Sequence, residues 1–190
     1  MADETPEPKS GFKTILVFSM LFAVLGAVVV FAYFATFQRP VTTVILTRHA
    51  EKVIDPKNPD PDLTPAGQAR AQELVRIFGD SGINAIYNTQ YKRTQQTAKP
   101  LADKLGLTPT LVTSTNTADL VARIRTQNSG QVVFVAGHNN TVPEIVAALG
   151  GPTFPIIPET EYDNLFIVTI YRTGKAKVVK MKYGSPSPTP

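Results

Sequence analysis

The chain has no cysteine, which at once removes disulfides, thiolate-bound zinc and a cysteine nucleophile. It has only two histidines, His49 and His138, and only Glu51 lies close in sequence to either. That is too poor a ligand set for a metal centre, so no metal or cofactor is expected. No Gly-x-x-x-x-Gly-Lys-Ser/Thr run is present, which leaves P-loop nucleotide binding unsupported. The net charge is a modest +4, with lysines late in the chain and no aromatic residues alternating with them. A nucleic-acid platform needs both, so no nucleic-acid partner is expected. No internal repeat is visible. With 190 residues and an ordinary apolar content, the chain has material for one domain and an appendage.

The appendage is marked by another absence. Ile15 to Phe37 contains no charged residue and is almost wholly apolar. As a helix at ~1.5 Å per residue it would be roughly 34 Å long, enough to cross a bilayer core. A cleavable signal peptide has a shorter apolar region and ends in small residues, whereas this run closes with Tyr33, Phe34, Phe37 and Arg39. The expected organisation is a disordered leader (1–13), a single-pass transmembrane anchor (14–38), an α/β domain (41–184) and a disordered tail (185–190). Lys9 and Lys13 precede the span and Arg39 follows it, which by the positive-inside rule places the domain outside the cytoplasm. Ser19, Ala23 and Ala27 form a row of the kind that supports helix pairing, but the oligomeric state is not set by it.

From Val41 onward, strand and helix signals alternate. Apolar or β-branched runs at 43–47, 85–87, 110–113 and 132–136 read as strands. Helices are expected from Thr64-Pro65, over Tyr91–Leu105 (with Pro100 inside), over Thr117–Thr126 and over Thr141–Leu149. Two final β-rich runs, joined at Thr173-Gly174, read as a hairpin. The predicted fold is a mostly parallel sheet with helices on both faces and a C-terminal β-hairpin. The lysines of the last run are expected to protect its edge strand from pairing with other chains.

The reactive residue types stand where strands give way to loops or helices. Thr43–Thr47 runs into Arg48-His49, Val132–Ala136 runs into Gly137-His138-Asn139, and Arg93 falls in the first turn of a helix. Ligands of open α/β sheets bind at the carboxyl ends of strands. Arginine forks and helix amino termini both suit phosphate oxygens, and imidazole can act as a nucleophile.

Four motifs in this order resemble the histidine phosphatase superfamily, the phosphoglycerate-mutase-like clan: Arg48-His49; Thr64-Pro65-x-Gly67-x-x-Arg70-Ala71; Arg93-x-x-Gln96-Thr97-Ala98; and Gly137-His138-Asn139. In style the chain is nearest the small bacterial phosphohistidine phosphatases. The resemblance implies a phosphatase with His49 as nucleophile and phosphohistidine carrier. It implies Arg48 and Arg93 as the phosphoryl clamp, with His138 binding the same oxygens and steadying the transferring group. The substrate would be a phosphorylated small molecule or a phosphoprotein.

The chain departs from the family pattern at the proton donor. Leu107 to Ala118 has no acidic residue, and Asn139 stands where one branch has an aspartate. The remaining carboxylates are Glu51, Asp60, Asp62, Asp119, Glu159, Glu161 and Asp163, of which Glu51 is the candidate donor. A missing strong acid suits an easily departing group, such as a phosphoramidate or activated ester. It also motivates an alternative, a membrane-tethered phosphate-binding module of the same fold. Asp60-x-Asp62-x-Thr64 resembles an aspartate-nucleophile motif but follows a proline-rich loop rather than a hydrophobic strand, and is read as a capped loop.

Overall fold

The structure is a computed structural model that describes residues 10–37, 41–171 and 174–187. The chain forms two compact units, 1–39 and 40–190. In the first, α1 (Ser10–Phe37) is one continuous helix, so residues 10–13 of the expected leader are helical and residues 1–9 lie outside the described residues. Thr14–Phe34 is exposed throughout and is long and apolar enough to cross a membrane. A signal peptide and a single anchor share those properties.

The second unit is an α/β domain on a mixed sheet of six strands. In chain order its elements are β1 (Thr42–Arg48), α2 (Pro65–Phe78), β2 (Ile83–Thr89), α3 (Lys92–Leu105), β3 (Thr110–Val112), α4 (Thr117–Gln127), β4 (Val132–Gly137), α5 (Thr141–Ala148), β5 (Asn164–Ile170) and β6 (Ala176–Lys182). Across the sheet the order is β3-β2-β4-β1-β5-β6. The first four of these run parallel, while β5 and β6 form the antiparallel C-terminal pair.

Successive side chains of a strand point to opposite faces, so the apolar run of β1 serves two cores. Val44 and Leu46 pack with Leu120 and Ile124 of α4 and Ile145 of α5. Ile45 packs with Leu74 and Phe78 of α2 and Leu101 of α3. Each such side chain, fully buried, stabilises the fold by about 1.5–3 kcal/mol.

This two-faced arrangement positions the site. Strands β1 and β4 are neighbours, yet the helix after β1 packs on one face and the helix after β4 on the other. The connections therefore part at the carboxyl edge and leave a crevice between them. In register Thr47 lies beside Ala136 and Arg48 beside Gly137, and His49 N–H donates to the Gly137 carbonyl (2.9 Å). One residue further on, each strand delivers a histidine to that crevice.

Several local features bear on the expectations. Helix α3 continues through Pro100, which falls late enough to leave its first turns intact. At the hairpin turn Thr173 lies outside the described residues, while Gly174 takes φ +80°, a left-handed conformation that favours glycine. The lysines of edge strand β6 do more than repel other chains: Lys182 pairs with Glu161 (3.0 Å) and Asp163 (2.8 Å). The tail is tied down at Ser185 and Ser187 by hydrogen bonds to the domain, and residues 188–190 lie outside the described residues.

Candidate active site

Arg48, His49, Arg93 and His138 converge at the carboxyl edge. The His49 and His138 rings are 5.6 Å apart, and Arg48 is 1% exposed, His49 3% and His138 7%. The Nδ1 of His49 lies 2.8 Å from the Ala50 carbonyl oxygen, which can only accept. Nδ1 therefore carries the proton, and Nε2 keeps its lone pair free. His138 is steadied by a hydroxyl pair, its Nε2 being 3.0 Å from Thr89 Oγ1, which in turn is 2.9 Å from Thr94 Oγ1.

Each arginine lies against a tyrosine. The Arg48 guanidinium is 4.4 Å from the Tyr162 ring centroid, and Arg93 is 4.1 Å from that of Tyr91. Each tyrosine also touches a histidine: Tyr91 sits edge-on to His138 at 5.4 Å, and Tyr162 lies 6.1 Å from His49. Arg48 Nη1 reaches the carbonyl oxygens of Pro158 (2.8 Å), Glu159 (2.9 Å) and Glu161 (3.0 Å). Its Nη2 meets the Glu159 carboxylate at 2.5 Å, and the other Glu159 oxygen accepts from Asn139 Nδ2 (2.8 Å). Arg48 Nε and both Nε and Nη1 of Arg93 are buried without a hydrogen-bond partner. The carboxylate nearest Arg93, that of Asp60, is 3.8 Å away, too far for a hydrogen bond.

Buried guanidinium N–H groups without acceptors are costly and rare in folded proteins. Three of them around two imidazoles make a cradle suited to an anion with several acceptor oxygens. The charge balance has the same sense. Burial, followed by the nearby positive groups Arg48, His138 and Arg93, pushes His49 down to about 3 despite the opposing Ala50 hydrogen bond. Burial and the charges of Arg93, Arg48 and Lys52 push His138 down to about 4. Both imidazoles are therefore neutral near pH 7. Among the described residues, no three His, Asp or Glu side chains gather as a metal site.

The remaining motif residues build the support. Thr64 caps α2 by accepting from Gly67 N–H (3.1 Å), and its own N–H donates to the Glu51 carbonyl (2.9 Å). A Cβ on Gly67 would stand 2.2 Å from that carbonyl, so only glycine lets the helix start this close to the loop after β1. One turn later Arg70 grips the Glu51 carboxylate, with Nε 3.0 Å from both oxygens and Nη2 2.7 Å from one. Thr97 Oγ1 accepts from Ala50 N–H (2.9 Å) and donates to the Arg93 carbonyl, tying the His49 loop to α3. Gln96 bridges Leu63 N–H (2.8 Å) and Asp62 (2.7 Å).

Of the carboxylates weighed from sequence, Glu51 is committed to Arg70, Asp119 to Arg123 on α4, and Glu161 and Asp163 to Lys182. Glu159 alone pairs with Arg48. Its sequence position gave no hint of this, and neither did those of Tyr91, Tyr162 or Thr89.

A family model described as the histidine phosphatase superfamily (branch 1) matches residues 44–116. Over that stretch, from β1 to the residue before α4, the chain matches the superfamily that the four motifs resemble. A curated relative, PE-PGRS family protein PE_PGRS11 of Mycobacterium tuberculosis, is 41% identical over 69 residues, which are 36% of this chain. The chain spans only 12% of that relative's length. Among solved structures, the protein histidine phosphatase SixA complexed with tungstate has a TM-score of 0.59 at 20% identity, covering 74% of this chain and 96% of its own. The mycobacterial glucosyl-3-phosphoglycerate phosphatase has a TM-score of 0.57 at 14% identity, covering 73% of this chain and 97% of its own. A phosphoserine phosphatase mutant from Entamoeba histolytica, in complex with phosphoserine, has a TM-score of 0.56 at 17% identity, covering 72% and 94%. At such identities these likenesses show a shared fold.

Proposed function

We propose that the chain is a membrane-anchored phosphatase that hydrolyses a phosphomonoester or phosphoramidate through a phosphohistidine on His49. One observation carries the reading: three buried, unpartnered guanidinium N–H groups surround a neutral His49 whose Nδ1 proton is held by Ala50. A phosphoryl group supplies the acceptors that those donors lack, and its charge offsets theirs.

In the first step Nε2 of His49 attacks phosphorus, the N–P bond forms, and the bond to the leaving oxygen or nitrogen breaks. Arg48 and Arg93 hold the equatorial oxygens, and His138, protonated as the dianion arrives, donates to them. Water then attacks phosphorus, the N–P bond breaks, and inorganic phosphate leaves with His49 restored. We assign proton transfer to Glu159 rather than to Glu51. Both Glu51 oxygens are taken up by Arg70, whereas the Glu159 carboxylate sits on the phosphate-clamping Arg48 and is 71% exposed. In its acid form Glu159 protonates the departing group, and as carboxylate it takes the proton from the attacking water.

The test is labelling and turnover with an aryl phosphate. The full-length chain is expected to show turnover and a base-stable, acid-labile phosphoryl label, with both lost in His49→Ala. Label that survives in His49→Ala would overturn the assignment of the nucleophile.

A further inference from the structure

Beyond the site, the segment following β6 touches the loop before β5 directly and reaches the loop after His49 through Arg70. Tyr183 N–H donates to the Asp163 carbonyl (3.0 Å), and its buried hydroxyl lies 3.1 Å from Thr47 Oγ1, directly before Arg48. Arg70 donates to the carbonyl of Tyr183 from Nη1 and to that of Ser185 from Nη2, each at 2.8 Å, while gripping Glu51. Gly184 turns the chain at φ +66°, where an added Cβ would stand 3.1 Å from Arg70 Nη1. Ser187 Oγ then accepts from two successive backbone groups, Tyr162 N–H (2.8 Å) and Asp163 N–H (3.2 Å). Ser187 N–H donates to the Asp163 carboxylate (3.1 Å), which also binds Lys182.

The sequence explains why such a short segment can hold this course. Pro186 and Pro188 restrict Ser185 and Ser187 to extended backbone, so little conformational entropy is lost on docking.

We propose that Tyr183–Ser187 is a positioning strap for the phosphate cradle, with Ser187 its decisive contact. One end, through Arg70, fixes the loop that follows His49. The other end fixes the Tyr162 backbone, whose ring lies on the Arg48 guanidinium and beside His49. The same loop supplies the three carbonyls that hold Arg48 Nη1. Ser187 touches no reacting atom; it sets the loop that sets Arg48. The proposal rests on the reading of the pocket as a phosphate site.

The experiment compares the full-length chain in detergent with Ser187→Ala, Ser187→Thr and a version ending at Gly184, all well below their melting temperatures. The probe is inorganic phosphate, measured by direct calorimetric binding and by inhibition of aryl phosphate turnover. Ser187→Ala is expected to weaken phosphate binding about tenfold, the equivalent of about 1.4 kcal/mol. The shortened chain should lose more, since Arg70 also loses an acceptor, while Ser187→Thr should restore binding by restoring the hydroxyl. A fall in melting temperature with unchanged phosphate affinity in Ser187→Ala would show a merely structural contact and overturn the strap. If the parent chain itself neither binds phosphate nor turns over the aryl ester, the pocket reading falls, and the strap with it. Parent binding that is equal in Ser187→Ala removes the strap alone.

Discussion

Arg93 carries its charge on two buried N–H groups that meet no protein acceptor, and Arg48 has a third such group. Asp60 at 3.8 Å and Glu159 at 2.5 Å offset part of the charge, but a buried N–H without an acceptor keeps its full desolvation cost. On the proposed reading, the folded protein holds these N–H groups at a cost that bound phosphate would relieve. Arg93→Met, similar in length and apolar, is expected to leave the empty protein as stable as the parent or about 1 kcal/mol more stable. The same change should abolish the rise in melting temperature that inorganic phosphate gives the parent. Thermal melts with and without phosphate decide this; an Arg93→Met protein still stabilised by phosphate would place the anion elsewhere. Arg48 behaves differently, since three backbone carbonyls depend on its Nη1 and its removal would strand them.

At the scale of elements, position follows from close approach. Helix α2 begins against the loop after β1 because Gly67 has no Cβ, and Thr64 joins the two by its side-chain cap and its backbone N–H. This brings Arg70 to Glu51 and makes an apparently catalytic carboxylate into an anchor. Helix α1 is the element that the domain's chemistry does not explain. From Thr14 to Phe34 it is exposed and uncharged, which in water would be an aggregation-prone surface but in a bilayer is a span. The intact chain should accordingly stay in the membrane pellet after alkaline carbonate extraction, and a version starting at Val41 should be released. A mature protein found to begin beyond α1 would identify the helix as a cleaved signal. Protease added to intact cells decides the side: cleavage of the domain would agree with the outward topology expected from Lys9, Lys13 and Arg39, and protection would reverse it.

For the molecule as a whole, the site connects folding to pH. His49 is held down at about 3 and His138 at about 4, chiefly by burial, whereas an unfolded histidine takes its proton near pH 6.5. Above that value neither state is protonated, and these groups leave stability unchanged. As pH falls through about 6.5 the unfolded chain binds protons that the folded chain refuses, so stability drops until the folded values are reached. By pH 5 the two together should cost roughly 3–4 kcal/mol. Urea unfolding at pH 7.5 and pH 5 measures the drop, and the double variant His49→Ala, His138→Ala should show a shallower one. An equal drop in the two proteins would sink this account.

The sequence by itself determined what depends on neighbours along the chain. Apolar runs of β-branched residues made the strands, Thr64-Pro65 opened α2, and Arg48-His49 and Gly137-His138 ended adjoining strands. Those residues belong to the cradle because strand ends at one sheet edge must lie close, whatever the loops do. Only the tertiary structure decided which carboxylate meets which arginine. Glu51, two residues from His49, goes to Arg70, whereas Glu159, 111 positions from Arg48, meets it directly. The same holds for the tail, which looked unable to bury itself yet is ordered through Ser187 by partners distant in the chain. Strand and helix signals are periodic and local; ion pairs and strap contacts are made only after the sheet has set the distances between segments.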